Sequence, residues 1–259
     1  MDFKTISINR EGAIGILTLN RPEAMNALND ELISEMSQAM DMIAQDDQIR
    51  VLILTGGDKV FAAGGDIKAM MSCDPLQAKK YVIPIHKVFN QIAELPKPTI
   101  AVICGFALGG GVELSLTCDF RIAADNAKFG FPEINLGIFP AAGGSQRLPR
   151  LIGMAKAKEL MFIGDTIDAA AALDIGLVNQ VIPRTEIMER AMKFADQLGS
   201  KPPITIKTLK ESMHNAFNGD INMGLNMEIE KLGFLFSTND QKEGMRAFLE
   251  RRKPDFQGR

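Results

Sequence analysis

The 259-residue sequence predicts an α/β fold, and three observations predict it. Short apolar runs recur at Val51 to Leu54, Ile100 to Ile103, Phe120 to Ala123 and Val178 to Ile182, the pattern of strands buried on both faces. Helix-compatible stretches separate these runs, as expected when helices cover a sheet. Glycine-rich turns follow two of the apolar segments, a common way to place a site at a strand end.

Along the chain, Lys4 to Ile8 and Ala13 to Leu19 read as two strands of a hairpin turning at Asn9-Arg10-Glu11-Gly12. After Arg21-Pro22, Asn29 is placed to cap a helix with Asp30 and Glu31 in its first turn. Leu32, Met36, Met40 and Ile43 then form its apolar stripe, which is core packing. Pro96 and Pro98 stiffen the approach to the strand at Ile100, and the turn from Gly105 to Gly111 follows directly. From about Lys201, beyond Pro202-Pro203, the pattern becomes helical, with Met227, Leu232, Phe234, Met245 and Phe248 interleaved with charge. This divides the chain into a core over residues 1–200 and a helical region over 201–259.

The bulk composition excludes several classes. A formal charge of -3 and a pI near 5.6 supply no broad positive field, so no nucleic-acid partner is expected. No stretch reaches the length of an uninterrupted apolar span, and no membrane association is expected. Cys73, Cys104 and Cys118 form no CxxC pair and read as buried small hydrophobes in a reducing compartment. The first residues carry neither a signal core nor an amphipathic presequence, and the expected location is the cytoplasm.

The most informative segment is Gly105-Phe-Ala-Leu-Gly-Gly-Gly-Val-Glu113. Three consecutive glycines strip the backbone of bulk just before a predicted helix, whose free N–H groups can stabilise an oxygen gaining negative charge. Glu113 falls one turn after Gly110, between apolar flanks that would shelter it and raise its pKa. The bland reading of such a glycine triplet is a tight turn, and of a helical Glu a solvated surface residue.

A second loop, Phe61-Ala-Ala-Gly-Gly-Asp-Ile-Lys68, also follows an apolar strand and can supply another N–H. Alone it reads as a turn with Asp66 capping a helix. In Phe129-Gly-Phe-Pro-Glu133, Pro132 fixes the backbone before Glu133, which gains interest as a partner of Glu113. Rival motifs fail. Gly111-Val112 stands where a P-loop needs Lys and Ser/Thr, and Gly143-Gly-Ser145-Gln-Arg147 lacks the last glycine of a hydrolase elbow. With only His86 and His214 and no HExxH, no metal site is expected, and both histidines read as structural or surface residues.

Taken together, these segments resemble the crotonase superfamily, and within it the enoyl-CoA hydratases. The resemblance rests on Leu19-Asn-Arg-Pro22 with Asn26-Ala-Leu28, Phe61 to Lys68, Gly105 to Glu113, Phe129 to Gly144, and Lys242 to Lys253. It implies a spiral of β-β-α turns with a C-terminal helical trimerisation region, giving a homotrimer or homohexamer. It implies that Gly65 and Gly110 form an oxyanion hole for a thioester carbonyl. Glu113 would act as base on water, and Glu133 would deliver a proton to the acyl chain. Ala62, Ala63, Gly65, Asp66, Ile67, Lys68 and Gly110 would line the acyl-CoA site, with Phe248 and Arg251 reaching it from a neighbouring subunit. The stretch from Met70 to Leu95 would line the acyl pocket. CoA would be part of the substrate, and no other cofactor is implied. Many relatives carry Gly where this chain has Ala141, and Ala where it has Gly65; the backbone N–H survives both changes. Within the superfamily an enoyl-CoA isomerase and an aromatic acyl-CoA hydratase-lyase are the nearest alternatives, and a non-catalytic acyl-CoA or RNA-binding relative is the more distant one.

Overall fold

The computed structural model describes residues 3–217 and 219–259. Strands β1 (Ile6–Glu11) and β2 (Ile14–Leu19) form an antiparallel hairpin. The turn falls later than the sequence predicts, because Asn9, Arg10 and Glu11 continue the strand. Glu11 pairs with Ile14, leaving a two-residue reversal in which Gly12 takes a φ of +57° at no steric cost. β1 is an edge strand, so its polar residues reach solvent without entering the core. Helix α1 (Asp30–Gln45) begins where Asn29 accepts the Leu32 N–H, and Leu32, Met36, Met40 and Ile43 are all buried. Burial of side chains of this size contributes about 1.5–3 kcal/mol each.

The chain then winds through repeated β-β-α turns. The first comprises β3 (Val51–Thr55), β4 (Val60–Ala62), α2 (Ile67–Met70) and α3 (Pro75–Ala93). The second comprises β5 (Thr99–Ile103), β6 (Phe106–Leu108) and α4 (Gly110–Ser115). The third runs through β7 (Phe120–Ala124), β8 (Lys128–Gly130), a 3-10 turn at Pro132–Leu136, α5 (Gly144–Ile152) and α6 (Met154–Ile163). Strands β9 (Thr166–Asp168) and β10 (Gln180–Ile182), with α7 (Ala169–Asp174) between them, close the spiral. The first strand of each turn joins a sheet ordered β1-β2-β3-β5-β7-β10; the second joins a smaller sheet ordered β4-β6-β8-β9. Within each turn, the chain thus leaves the large sheet, crosses the small one and enters a helix at the same end of the molecule.

Side-chain alternation explains why β3 and β5 are apolar throughout. Leu52, Leu54, Ala101 and Ile103 enter the main core with α1 and α3, while Val51, Ile53, Ile100 and Val102 enter a second core. That second core is roofed by α8 (Ile187–Gly199) through Ile187, Ala191 and Ala195. Cys104 and Cys118 are buried, and burial pushes the Cys118 thiol up to about 12. Cys73 departs from the expectation and is only half-buried, because it lies in the loop between α2 and α3.

The last helices are α9 (Pro203–Asn215), α10 (Ile221–Leu235) and α11 (Asn239–Leu249). Lys210 ties α9 to the core, its Nζ 2.7 Å from Asp119 Oδ2, which also accepts the Thr99 N–H and hydroxyl. In contrast, α10 buries no residue. Among the described residues, no helix is long and apolar enough to cross a membrane.

Candidate active site

Glu113 lies on α4, a helix whose six residues are all buried, and the residue itself is 3% exposed. One oxygen, Oε1, accepts the N–H of Ala142 at 2.8 Å and that of Gly144 at 2.7 Å. Both donors belong to the glycine-containing turn that starts α5. A Cβ on Gly144 would stand 2.9 Å from Glu113 Oε1, so the absence of a side chain there permits the close approach. Burial drives the Glu113 pKa up to about 7, helped by the negative charge of Glu133, against the two N–H donors and Arg147.

Glu133 enters from the 3-10 turn, directly after Pro132. Its carboxylate folds over Gly109, where a Cβ would come within 2.0 Å of Oε1. Gly109 itself has a φ of +48°, so the first glycine of the triplet is required twice, by conformation and by space. Burial raises the Glu133 pKa, and its Oε2 is buried with no partner among the described residues. A buried carboxyl oxygen without a donor favours the protonated acid, whereas the two N–H groups on Glu113 favour an anion. The negative charge of Glu133 is one of the causes that raise Glu113, so the two carboxyls are electrostatically coupled.

Gly65 and Gly110 meet beside this pair. A Cβ on Gly110 would lie 3.5 Å from the Gly65 nitrogen, and neither N–H donates a hydrogen bond among the described residues. Such bare convergent donors can hold an oxygen that gains charge. The Gly65 side is held by β-bridge pairing with Leu28, whose N–H donates to Gly64 O and whose O accepts from Asp66 N–H and the Tyr81 hydroxyl. The buried Asn26 fastens the same loop through its Nδ2, which donates to the carbonyls of Val60 and Phe61.

The structure thus brings Glu113, Glu133, Gly65 and Gly110 to one place. Ala62 and Ala63 continue from β4 into the Gly65 turn, with Ala62 buried. Asp66 caps α2 through the Lys68 and Ala69 N–H groups and pairs with Arg21 at 3.7 Å; Ile67 and Lys68 face solvent. Phe248 and Arg251 are exposed, at and just beyond the C-terminal end of α11. The turn donors Ala142 and Gly144, the neighbours Arg147 and Tyr81, and the space demanded by Gly109 are not expected from the sequence. Only the glycines at 143 and 144 signalled that turn. Among the described residues, no group of three or more His, Cys, Asp or Glu side chains could hold a metal ion.

A β-β-α spiral carrying a carboxylate pair next to two bare backbone donors defines the crotonase class of fold and site. The family model for enoyl-CoA hydratase/isomerase matches residues 9–259. The chain is 43% identical over 254 residues to a short-chain-enoyl-CoA hydratase of Clostridium acetobutylicum, covering 98% of this chain and 97% of the other. It is 44% identical over 257 residues to a crotonyl-CoA hydratase of Syntrophomonas wolfei, covering 99% of each. An enoyl-CoA hydratase structure from Bacillus anthracis superposes with a TM-score of 0.95 at 40% identity, over 99% of this chain and 100% of that one. This chain belongs to the enoyl-CoA hydratase/isomerase family.

Proposed function

We propose that the protein is an enoyl-CoA hydratase that adds water syn across a 2-trans-enoyl-CoA to give a 3-hydroxyacyl-CoA. The observation that carries this reading is the unequal carboxylate pair beside the Gly65 and Gly110 N–H groups. Glu113 takes a proton from water as the hydroxyl oxygen bonds to Cβ. The displaced electron pair moves through Cα onto the thioester oxygen, where the two N–H groups stabilise an enolate-like state better than the substrate. Glu133 gives its proton to Cα, and transfer of the proton from Glu113 to Glu133 restores the starting state. The hydratase names of full-length relatives above 40% identity support the same reaction.

In this proposal, the segment from Ala62 to Lys68 flanks the CoA, which enters as part of the substrate. Phe248 and Arg251 close its adenine end from an adjacent chain of a homotrimer or homohexamer in the cytoplasm. The region 201–259 supports such assembly, since α10 buries nothing and exposes Ile221, Met223, Leu225, Ile229, Leu232 and Phe234. The test is loss of the ultraviolet absorbance of crotonyl-CoA with formation of 3-hydroxybutyryl-CoA. A wild-type protein that binds the thioester without consuming it sinks the reading; production of a shifted double bond instead of an alcohol makes it an isomerase.

A further inference from the structure

The turn that holds Glu113 is itself gripped from the other side. His86 on α3 lies with Nε2 2.7 Å from the carbonyl oxygen of Ala141. That oxygen belongs to the same peptide unit as the Ala142 N–H, which donates to Glu113 Oε1. We propose that His86 is a positioning residue for Glu113, acting through the single peptide unit between Ala141 and Ala142.

A carbonyl oxygen only accepts, so Nε2 carries the proton, as it does in both the neutral Nε2–H tautomer and the imidazolium. Donation to the carbonyl polarises the peptide and strengthens its N–H as a donor to the carboxylate, as in any chain of hydrogen bonds. The other peptide that serves Glu113, between Gly143 and Gly144, has its carbonyl held by the backbone N–H groups of Gln146 and Arg147. His86 thus does with a side chain what the first turn of α5 does with its backbone. One helical turn further along α3, Asn90 Oδ1 accepts from Arg147 Nη2 at 2.8 Å, and Arg147 Nη1 donates to Ala142 O at 3.3 Å. Two residues of one α3 face therefore brace this turn.

The other charges near Glu113 are Glu133 from the 3-10 turn and Arg147 from α5. Arg147 in turn faces Glu94 at the end of α3 and His214 on α9, where Lys210 and Asp119 also act. His86→Leu leaves all of these in place and removes the donor, while His86→Gln keeps an N–H at the same reach.

This inference rests on Glu113 being the base of the proposed hydration, so the test measures the carboxyl directly as well as turnover. The Glu113 side-chain carbon is titrated by NMR in 13C-glutamate-labelled protein, assigned with Glu113→Gln. In His86→Leu, its pKa should rise by about half a unit, with the acid limb of kcat/KM moving equally and kcat at pH 7 falling about twofold at unchanged KM. His86→Gln should restore both. The proposal is overturned if His86→Leu leaves the titration in place, if His86→Gln shifts it as far as His86→Leu does, or if activity falls by one factor at every pH. A wild type without turnover would remove the hydratase reading, yet the carboxyl titrations would still decide the link to His86.

Discussion

The two sides of the active site are built on opposite principles. Glu113 comes from the wholly buried helix α4 and is met by two N–H groups, while Glu133 comes from a 3-10 turn and leaves Oε2 without a donor. Burial lifts both carboxyls, Glu113 to about 7 in spite of its two N–H donors. Two identical side chains meet different surroundings because the backbone around each supplies different hydrogen-bond donors.

The sharpest way to break this comparison is to neutralise each carboxyl in turn. Glu113→Gln should lower kcat about 10³- to 10⁴-fold, since the base is lost while the shape and the two accepted hydrogen bonds remain. Glu133→Gln should cost about 10²- to 10³-fold, and exchange of the Cα hydrogen with solvent deuterium should fall with it. Equal losses with equal retention of exchange would show that the two do not divide the work.

Gly109→Ala should cost at least about tenfold in kcat, because its Cβ would fall 2.0 Å from Glu133 Oε1 and the residue must keep a positive φ. Gly144→Ala meets Glu113 at 2.9 Å, the far end of a side chain that can shift, and should cost less. Steady-state kinetics that reverse this order would place the tighter packing on the Glu113 side.

Stability should run against activity. The folded pKa of Glu113, about 7, lies above its ordinary value of 4.5, so the folded state holds the proton more tightly between these limits. The stability it supplies is complete below pH 4.5 and is lost as pH rises through 7. Glu113→Gln should therefore be more stable than wild type at pH 8 by roughly 2 kcal/mol, and no more stable at pH 4. Thermal melts at the two pH values check this, and a destabilised variant at pH 8 would contradict the burial cost assigned to the anion.

Much of the fold was legible because its signals are local. The stripe Leu32, Met36, Met40 and Ile43 behind an Asn29 cap, and the apolar runs that became β3, β5 and β7, depend only on near-neighbour periodicity. The hairpin turn was misplaced because an edge strand tolerates Asn9, Arg10 and Glu11, which composition alone reads as a turn. By itself the sequence determined the first helix and the buried strands β3, β5 and β7, the glycine positions and the sheltered setting of Glu113, while the stretch read as a turn from Gly105 to Gly111 contains strand β6 (Phe106–Leu108). Tertiary structure alone decided that Ala142 and Gly144 bind Glu113 and that Gly109 makes room for Glu133. Each of these contacts joins segments distant in the chain, and such contacts depend on how the turns of the spiral stack. No local pattern of residues encodes that stacking.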